Sequence, residues 1–182
     1  MHLLLRTLLH LFLSSRRSRI SLWDVSSWRS RAWPWDIDLA MHINNGMYFS
    51  LLDLGRFDLM MRSGVWTRMR ALKWNPVVSA ETIAFRKSVK LFQRFTIETR
   101  IIGLDEKDIY FEQRVVVQGE IYVRAYIATR LLGPNGPVDM AQIKAEFGEP
   151  TSGTELPSWL HRWREENALP GARRPAPHLW GN

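Results

Sequence analysis

Apolar positions change their period along this chain, and each change marks an element. Over residues 44–62, Tyr48, Leu51, Leu52, Gly55 and Leu59 recur at the three- and four-residue spacing of one helical face. Asn44 or Asn45 is placed to cap this helix. Ser63-Gly64 supplies its stop, because glycine takes the left-handed closing conformation without steric cost. A short second helix is predicted within 65–74, ending before Pro76. From residue 77 the period falls to that of strands. Four runs, 77–91, 95–104, 109–117 and 121–132, are rich in β-branched and aromatic residues and are separated by short polar links. Upstream, residues 20–34, with Ile20, Leu22, Val25, Trp23, Trp28 and Trp33, suit an extended strand leading into Pro34. The order strand, helix, then a meander of four consecutive antiparallel strands predicts an α+β domain: an antiparallel sheet of about five strands curled around one long helix. Such a sheet leaves an edge that a second copy can pair with. Gly133-Pro134-Asn135-Gly136-Pro137 ends the sheet, helices are predicted at 139–147 and 157–166, and the last dozen residues, rich in Pro, Arg and Gly, are expected to be loosely held.

The first nineteen residues follow a different rule. Residues 3–13 are an apolar run broken by Arg6 and His10, which lie four apart and share one helical face. A span of the bilayer needs about 20 apolar residues, so this run is too short to cross. A cleavable signal peptide carries its positive charge ahead of the apolar run, whereas Arg16, Arg17 and Arg19 follow it. The readings that stand are an in-plane membrane anchor with its basic residues near lipid phosphates, a terminal helix packed on its own domain or on a partner, and a poorly ordered tail. The chain therefore divides into segments 1–19, 20–133 and 134–182.

Composition narrows the function. With 182 residues and 46% apolar content the chain is long enough for one domain with a sizeable core. Of the net charge of +7, four come from Arg6, Arg16, Arg17 and Arg19, so the body is only weakly basic and nucleic acid is not an expected partner. The absence of cysteine excludes disulfides, thiolate metal sites and a cysteine nucleophile. The histidines, at 2, 10, 42, 161 and 178, show no close ligand spacing, and neither a metal nor a cofactor is expected.

Candidate chemistry concentrates in residues 33–48, where Asp36, Asp38, His42, Asn44, Asn45 and Tyr48 alternate with Trp35, Ile37, Leu39, Met41 and Ile43. Asp36 and Asp38, two apart, would face the same way in extended chain. A carboxylate beside a helix start can take a proton from water or attack a carbonyl itself. The free N–H groups of that start can stabilise an oxyanion. So sparse a set suits an electrophilic acyl group such as a thioester. No Gly-x-Ser-x-Gly is present, and His42 has no evident serine partner. Structural roles compete at each position: Asp38 ordering a loop, His42 bonding a carbonyl, an asparagine capping the helix, Tyr48 packing in the core.

The run Asp-x-Asp-x-x-x-His-x-Asn-Asn-x-x-Tyr, Asp36 to Tyr48 here, resembles the signature of hotdog-fold acyl thioesterases of the 4-hydroxybenzoyl-CoA thioesterase type, and the element order over 20–133 is similar too. Members with a short hydrophobic N-terminal segment share runs like Gly55-Arg56-Phe57-Asp58-Leu59 and Arg62-Ser63-Gly64-Val65-Trp66. The resemblance implies a hotdog domain in which Asp38 acts on the thioester as base or nucleophile and the Asn45 backbone N–H polarises its carbonyl. His42 matches the Asp-x-x-x-His of plant acyl-carrier-protein thioesterases. Those carry Asn where this chain has Ala40, and a downstream Cys absent here, so their full set is not transferred. Tyr48 would lie at the substrate, and Arg86, Lys87, Lys90 and Arg94 form the group expected to face coenzyme A, if they are not simply solvated charges. An acyl-CoA or acyl-carrier-protein thioester as substrate and a homodimer or dimer of dimers are also implied; a cytoplasmic chain is expected, with residues 1–19 as the candidate for peripheral membrane contact. Two rivals keep less: an acyl- or lipid-binding hotdog protein without turnover, and a membrane-associated interaction protein.

Overall fold

The computed structural model describes residues 2–150, 156–170 and 174–176. Its elements run α1 (His2–Ser15), β1 (Ser26–Arg31), a 3-10 turn (Pro34–Asp36), α2 (Asn45–Ser63), α3 (Val65–Leu72), β2 (Asn75–Phe85), β3 (Arg94–Leu104), β4 (Ile109–Val117), β5 (Glu120–Gly133), β6 (Gly136–Pro137), α4 (Met140–Phe147) and α5 (Ser158–Glu166). The strands form one antiparallel sheet in the order β1-β3-β4-β5-β2, with β6 on the end of β5. Register shifts at Val78/Ala80, Ile101/Gly103 and Val115/Val116 add local twist, and the sheet curls around α2.

Helix α2 begins and ends where its caps dictate. The Asn44 side chain accepts from Gly46 N–H, and Gly64, at φ 81°, closes the last turn. Leu51, Leu52 and Leu59 are wholly buried against Ile97, Val115, Ala125 and Ile127 of the sheet; each such side chain contributes about 1.5–3 kcal/mol. Gly55 lets the helix approach closely, since a Cβ there would lie 2.7 Å from Ile97 Cγ2 and 2.8 Å from Thr99 Oγ1. Beside it the buried Gln113 amide donates to the Leu52 carbonyl and to Thr99 Oγ1, and accepts from Arg56. Both N–H donors of that amide are used, and its oxygen is satisfied by Arg56.

Three expectations about the sheet are corrected. The four strands after α3 are not consecutive neighbours: β2 pairs with β5, not β3, and only β3-β4-β5 is a meander. The run expected to extend to residue 91 stops at Phe85, because residues 86–93 cross the end of the sheet and dock beside β1, where Phe92 N–H donates to the Ala32 carbonyl and Ala32 N–H donates to the Gln93 carbonyl. The first strand also occupies only Ser26–Arg31 of the expected 20–34. Most of the last dozen residues lie outside those described.

Helix α1 lies on the far side of α2, and its polar face is the one that docks. His10 is buried, with Nε2–H donating to the Leu54 carbonyl at 2.7 Å, and the ring meets Trp28 edge-on. Ser14 donates to Asp58, as do Ser26, Arg17 and Arg62. Burial pushes the Asp58 carboxyl up, but these hydroxyls and guanidiniums outweigh it and hold its pKa below the ordinary carboxylate value. Leu5, Leu8, Leu9, Phe12 and Leu13 are left facing outward, each more than half exposed. The orientation in which Arg6 and His10 reach toward lipid phosphates is therefore reversed. No helix among the described residues is long and apolar enough to cross a membrane.

Candidate active site

Six backbone hydrogen bonds and one bridge build the hairpin that carries the predicted chemistry. After the 3-10 turn, Ile37 and Ile43 pair in an antiparallel bridge. Asp38 N–H donates to the His42 carbonyl and Met41 N–H to the Asp38 carbonyl, both at 3.0 Å, closing a tip where Met41 takes φ 60°. Ile43 N–H bonds the Val89 carbonyl and Leu91 N–H the Met41 carbonyl, sewing the hairpin to residues 86–93. Asn44 N–H donates to the Asp36 carbonyl at 2.9 Å, which sets the first turn of α2 beside the strand bearing Asp38. The sixth, Asp36 N–H to the Trp33 carbonyl at 2.9 Å, closes the 3-10 turn.

The two aspartates do not face the same way, because the 3-10 turn rotates the chain between them. Asp36 is 1% exposed; its carboxylate accepts from Trp33 N–H at 3.0 Å and from Arg6 at 2.7 Å. It ties α1 to the hairpin and has no room for substrate. Asp38 is 30% exposed. One oxygen accepts from Ala40 N–H at 2.9 Å and lies 3.6 Å from His42 Nδ1, while the other has no partner among the described residues. His42 Nδ1 also reaches the Ile43 carbonyl at 3.3 Å, so the ring is held loosely beside Asp38. At the helix start the Asn44 side chain satisfies Gly46 N–H, and Asn45 N–H is left without a partner among the described residues. Asp38, His42 and the Asn45 N–H are thus brought together around one short turn.

Tyr48 is in the core. Its hydroxyl accepts from Val89 N–H at 3.4 Å and its ring meets Phe85. Burial raises its pKa above the ordinary tyrosine value; the Val89 bond opposes this and the Asp38 charge adds to it, so the phenol stays neutral at neutral pH. The basic group separates into three places. Arg86 and Lys87 both bind Glu120 at the β4–β5 turn. Lys90 bridges His42 through its backbone. Arg94 lies on the outer face of the sheet opposite Arg31.

Sequence reasoning passed over several polar groups. Asp58 and its four donors, and the Arg56–Gln113–Thr99 cluster, come from positions 14 to 113 and meet only in the fold. Glu81, on the inner side of the edge strand β2, has its pKa raised by burial; nearby Asp53 adds to this and Arg56 opposes it. A recess of about 100 Å³ opens at Asp53, Arg56 and Phe57. It shares Met60, Pro76, Phe111 and Thr129 with an apolar cavity of about 40 Å³ between α2, α3 and the sheet. Around the hairpin, Trp33, Trp35, Leu39, Met41 and Phe92 are exposed, with Trp33 stacked on Trp35 and meeting Phe92 edge-on. An apolar display this dense beside a carboxylate fits an acyl chain or a second subunit.

Residues 32–163 match the family model of the thioesterase-like superfamily. The chain is 33% identical over 131 residues to Protein THEM6 of Xenopus laevis, covering 70% of this chain and 63% of that protein. Its matches to three curated relatives of that name span between 47% and 66% of their length. The YbaW probable thioesterase from Escherichia coli superposes with a TM-score of 0.64 at 18% identity, over 69% of this chain and 98% of that one. A 1,4-dihydroxy-2-naphthoyl-CoA thioesterase from Synechocystis gives 0.59 at 8% identity, over 69% and 96%. At these identities the superpositions speak for the fold, which is the hotdog.

Proposed function

The chain belongs to the thioesterase-like superfamily, and from that premise we propose that it hydrolyses an acyl-CoA thioester to free acid and thiol, in the manner of the 4-hydroxybenzoyl-CoA thioesterase type. The observation that carries this reading is a part-exposed carboxylate with one unspent oxygen, held one short turn from a helix-start N–H that is also unspent. A water activated by Asp38 attacks the thioester carbonyl and its proton passes to the carboxylate. The oxyanion accepts from Asn45 N–H, the C–S bond breaks, and the departing thiolate recovers the proton. His42, beside Asp38, orients the carboxylate. A thiol-release assay over acyl-CoA chain lengths, run with Asp38→Asn, tests this. Release that depends on Asp38 is expected, and tight acyl-CoA binding without any release would replace the reading with a binding protein.

The same reading includes a homodimer and a lipid surface. Edge strand β2 leaves Val77, Val78 and Phe85 exposed on an unpaired ladder, the kind of edge that two-fold pairing with a second copy closes. Leu5, Leu8, Leu9 and Phe12 follow the i, i+3, i+4, i+7 rule on the outward side of α1, and the Arg16 guanidinium lies 4.4 Å over the Phe12 ring at the rim. Apolar contact edged with arginine matches the boundary of an anionic leaflet, and we place the protein in the cytoplasm with α1 lying on such a surface.

A further inference from the structure

Several arginines on and beside the sheet follow one rule: each is given an acid. Arg100 and Arg114 flank the buried Glu112, Arg130 and Arg164 converge on Asp108, and Arg86 shares Glu120 with Lys87. At one end of the outer face this rule is broken. Arg31 on β1 stands directly opposite Arg94 on β3, and Arg29, two residues back, stands opposite Thr96. The alternate positions Trp28 and Ser30 pair with the buried Ile97 and Phe95, so the arginines point outward on one common face. Like charges directly across a strand pair repel. None of the three has a carboxylate, hydroxyl or ring partner among the described residues. They line an open cleft of about 620 Å³ whose other walls include Thr96, Gln118 and the exposed Phe92, and no acid. The nearby Glu98 lines the neighbouring cleft with Arg100 and Arg114.

We propose that this cleft is a binding site for the phosphates of an adenine nucleotide, with Arg29, Arg31 and Arg94 holding the phosphate oxygens and Phe92 offering a ring for the base. Guanidiniums set side by side with no counter-ion are relieved by a ligand carrying more than one negative charge, and their planar forks match phosphate geometry. The cleft lies at the same end of the sheet as the Asp38 hairpin. His42 bridges Lys90, and Arg94 is four residues further on, so at most about 14 Å of chain separates the two. A pantetheine arm spans such a gap. Resting on the thioesterase reading, the ligand is the adenosine 3′,5′-bisphosphate end of the acyl-CoA substrate; a free nucleotide carries the same chemistry. The site thus shifts from the 86–90 stretch, where Arg86 and Lys87 are neutralised, to a trio of which the sequence pointed only to Arg94.

Calorimetry with adenosine 3′,5′-bisphosphate on the full chain tests the site without reference to turnover. Binding that weakens with salt is expected, and Arg31→Gln or Arg94→Gln should each weaken it by about tenfold, the scale of one charge-assisted hydrogen bond. No binding, or affinity unchanged in the Arg29→Gln, Arg31→Gln, Arg94→Gln triple variant with an unaltered melt, overturns the proposal. The source is read from kinetics: the triple variant should raise KM for acyl-CoA and leave the rate with the matching acyl-N-acetylcysteamine, which has no nucleotide, as in the parent. Arginine-dependent bisphosphate binding with KM for acyl-CoA unmoved would assign the site to a free nucleotide. If the chain releases no thiol, the calorimetric result still stands or falls by itself.

Discussion

Helix α2 has an aspartate near each end, and the two are treated oppositely. Asp58, three-quarters along, is wholly buried and collects bonds from Ser14, Ser26, Arg17 and Arg62. Asp38, beside the first turn, is part exposed and holds one backbone N–H. A carboxylate whose capacity is used up by the protein can only stabilise the protein. One with capacity left over can act on something else. The difference separates a structural carboxylate from a chemical one without reference to motif, and it also separates Asp38 from Asp36, two residues away.

The sharpest way to break this contrast is to remove Asp58. Asp58→Ala leaves Arg17 and Arg62 facing a buried gap and should lose about 3–5 kcal/mol of stability, read from denaturant midpoints at constant slope. A loss below 1 kcal/mol would mean that the cluster is not what holds α1. Next in size is Asp38→Asn, which should leave the melt near that of the parent and reduce thiol release by at least about a hundredfold. Asp36→Asn should do the reverse, lowering stability by about 1–3 kcal/mol through the Arg6 contact while turnover persists. Near-native turnover in folded Asp38→Asn would remove the mechanism.

A smaller effect follows from His10, whose pKa is lowered by burial, with the Leu54 carbonyl and the Asp58 charge opposing and the Arg17 and Arg6 charges reinforcing. Because the folded ring resists protonation, the unfolded chain takes up the proton first as pH falls. Stability contributed here is present above the ordinary histidine value of about 6.5 and is lost as pH drops below it. Asp58 works in a lower window: its folded pKa is depressed, so its contribution is lost only as pH falls through that value. Melting temperatures at pH 7.5 and 5.5 should differ more for the parent than for His10→Gln; equal differences would exclude His10 as the cause. The smallest expected effect on the domain itself is that of Leu8→Ser with Leu9→Ser, which should leave the melt unchanged and reduce flotation with anionic liposomes by at least tenfold. Unchanged flotation would show that this face does not meet lipid. Deleting residues 1–19 is a poorer test, since it uncovers Asp58.

The contrast also explains what was legible in the sequence. Helix α2, its caps and the β3-β4-β5 meander are local: period, cap residue and turn lie within a few positions of one another. The Asp38 hairpin was legible for the same reason, as its polar residues cluster within thirteen positions. Which aspartate faces out was not, because the 3-10 turn at Pro34–Asp36 and the Arg6 contact decide it, and Arg6 is thirty residues away. The pairing of β2 with β5 joins segments about fifty residues apart, and nothing in either strand names its partner. The outward turn of the α1 leucines was hidden because a stripe of apolar residues reads the same whichever side is docked.

That inverted docking has a kinetic consequence. His10 meets Leu54 and Ser14 meets Asp58 across 44 positions of chain, so α1, first in the sequence, has nothing to grip until α2 has formed. β1 likewise waits for β3, its one neighbour in the sheet among the described residues. Closing loops of that length late is entropically slow, whereas α2 and the meander rest on shorter links. This segment is therefore expected to settle last and to open first. Between those moments its leucine helix is tethered to a nearly finished domain and open to whatever apolar surface arrives first.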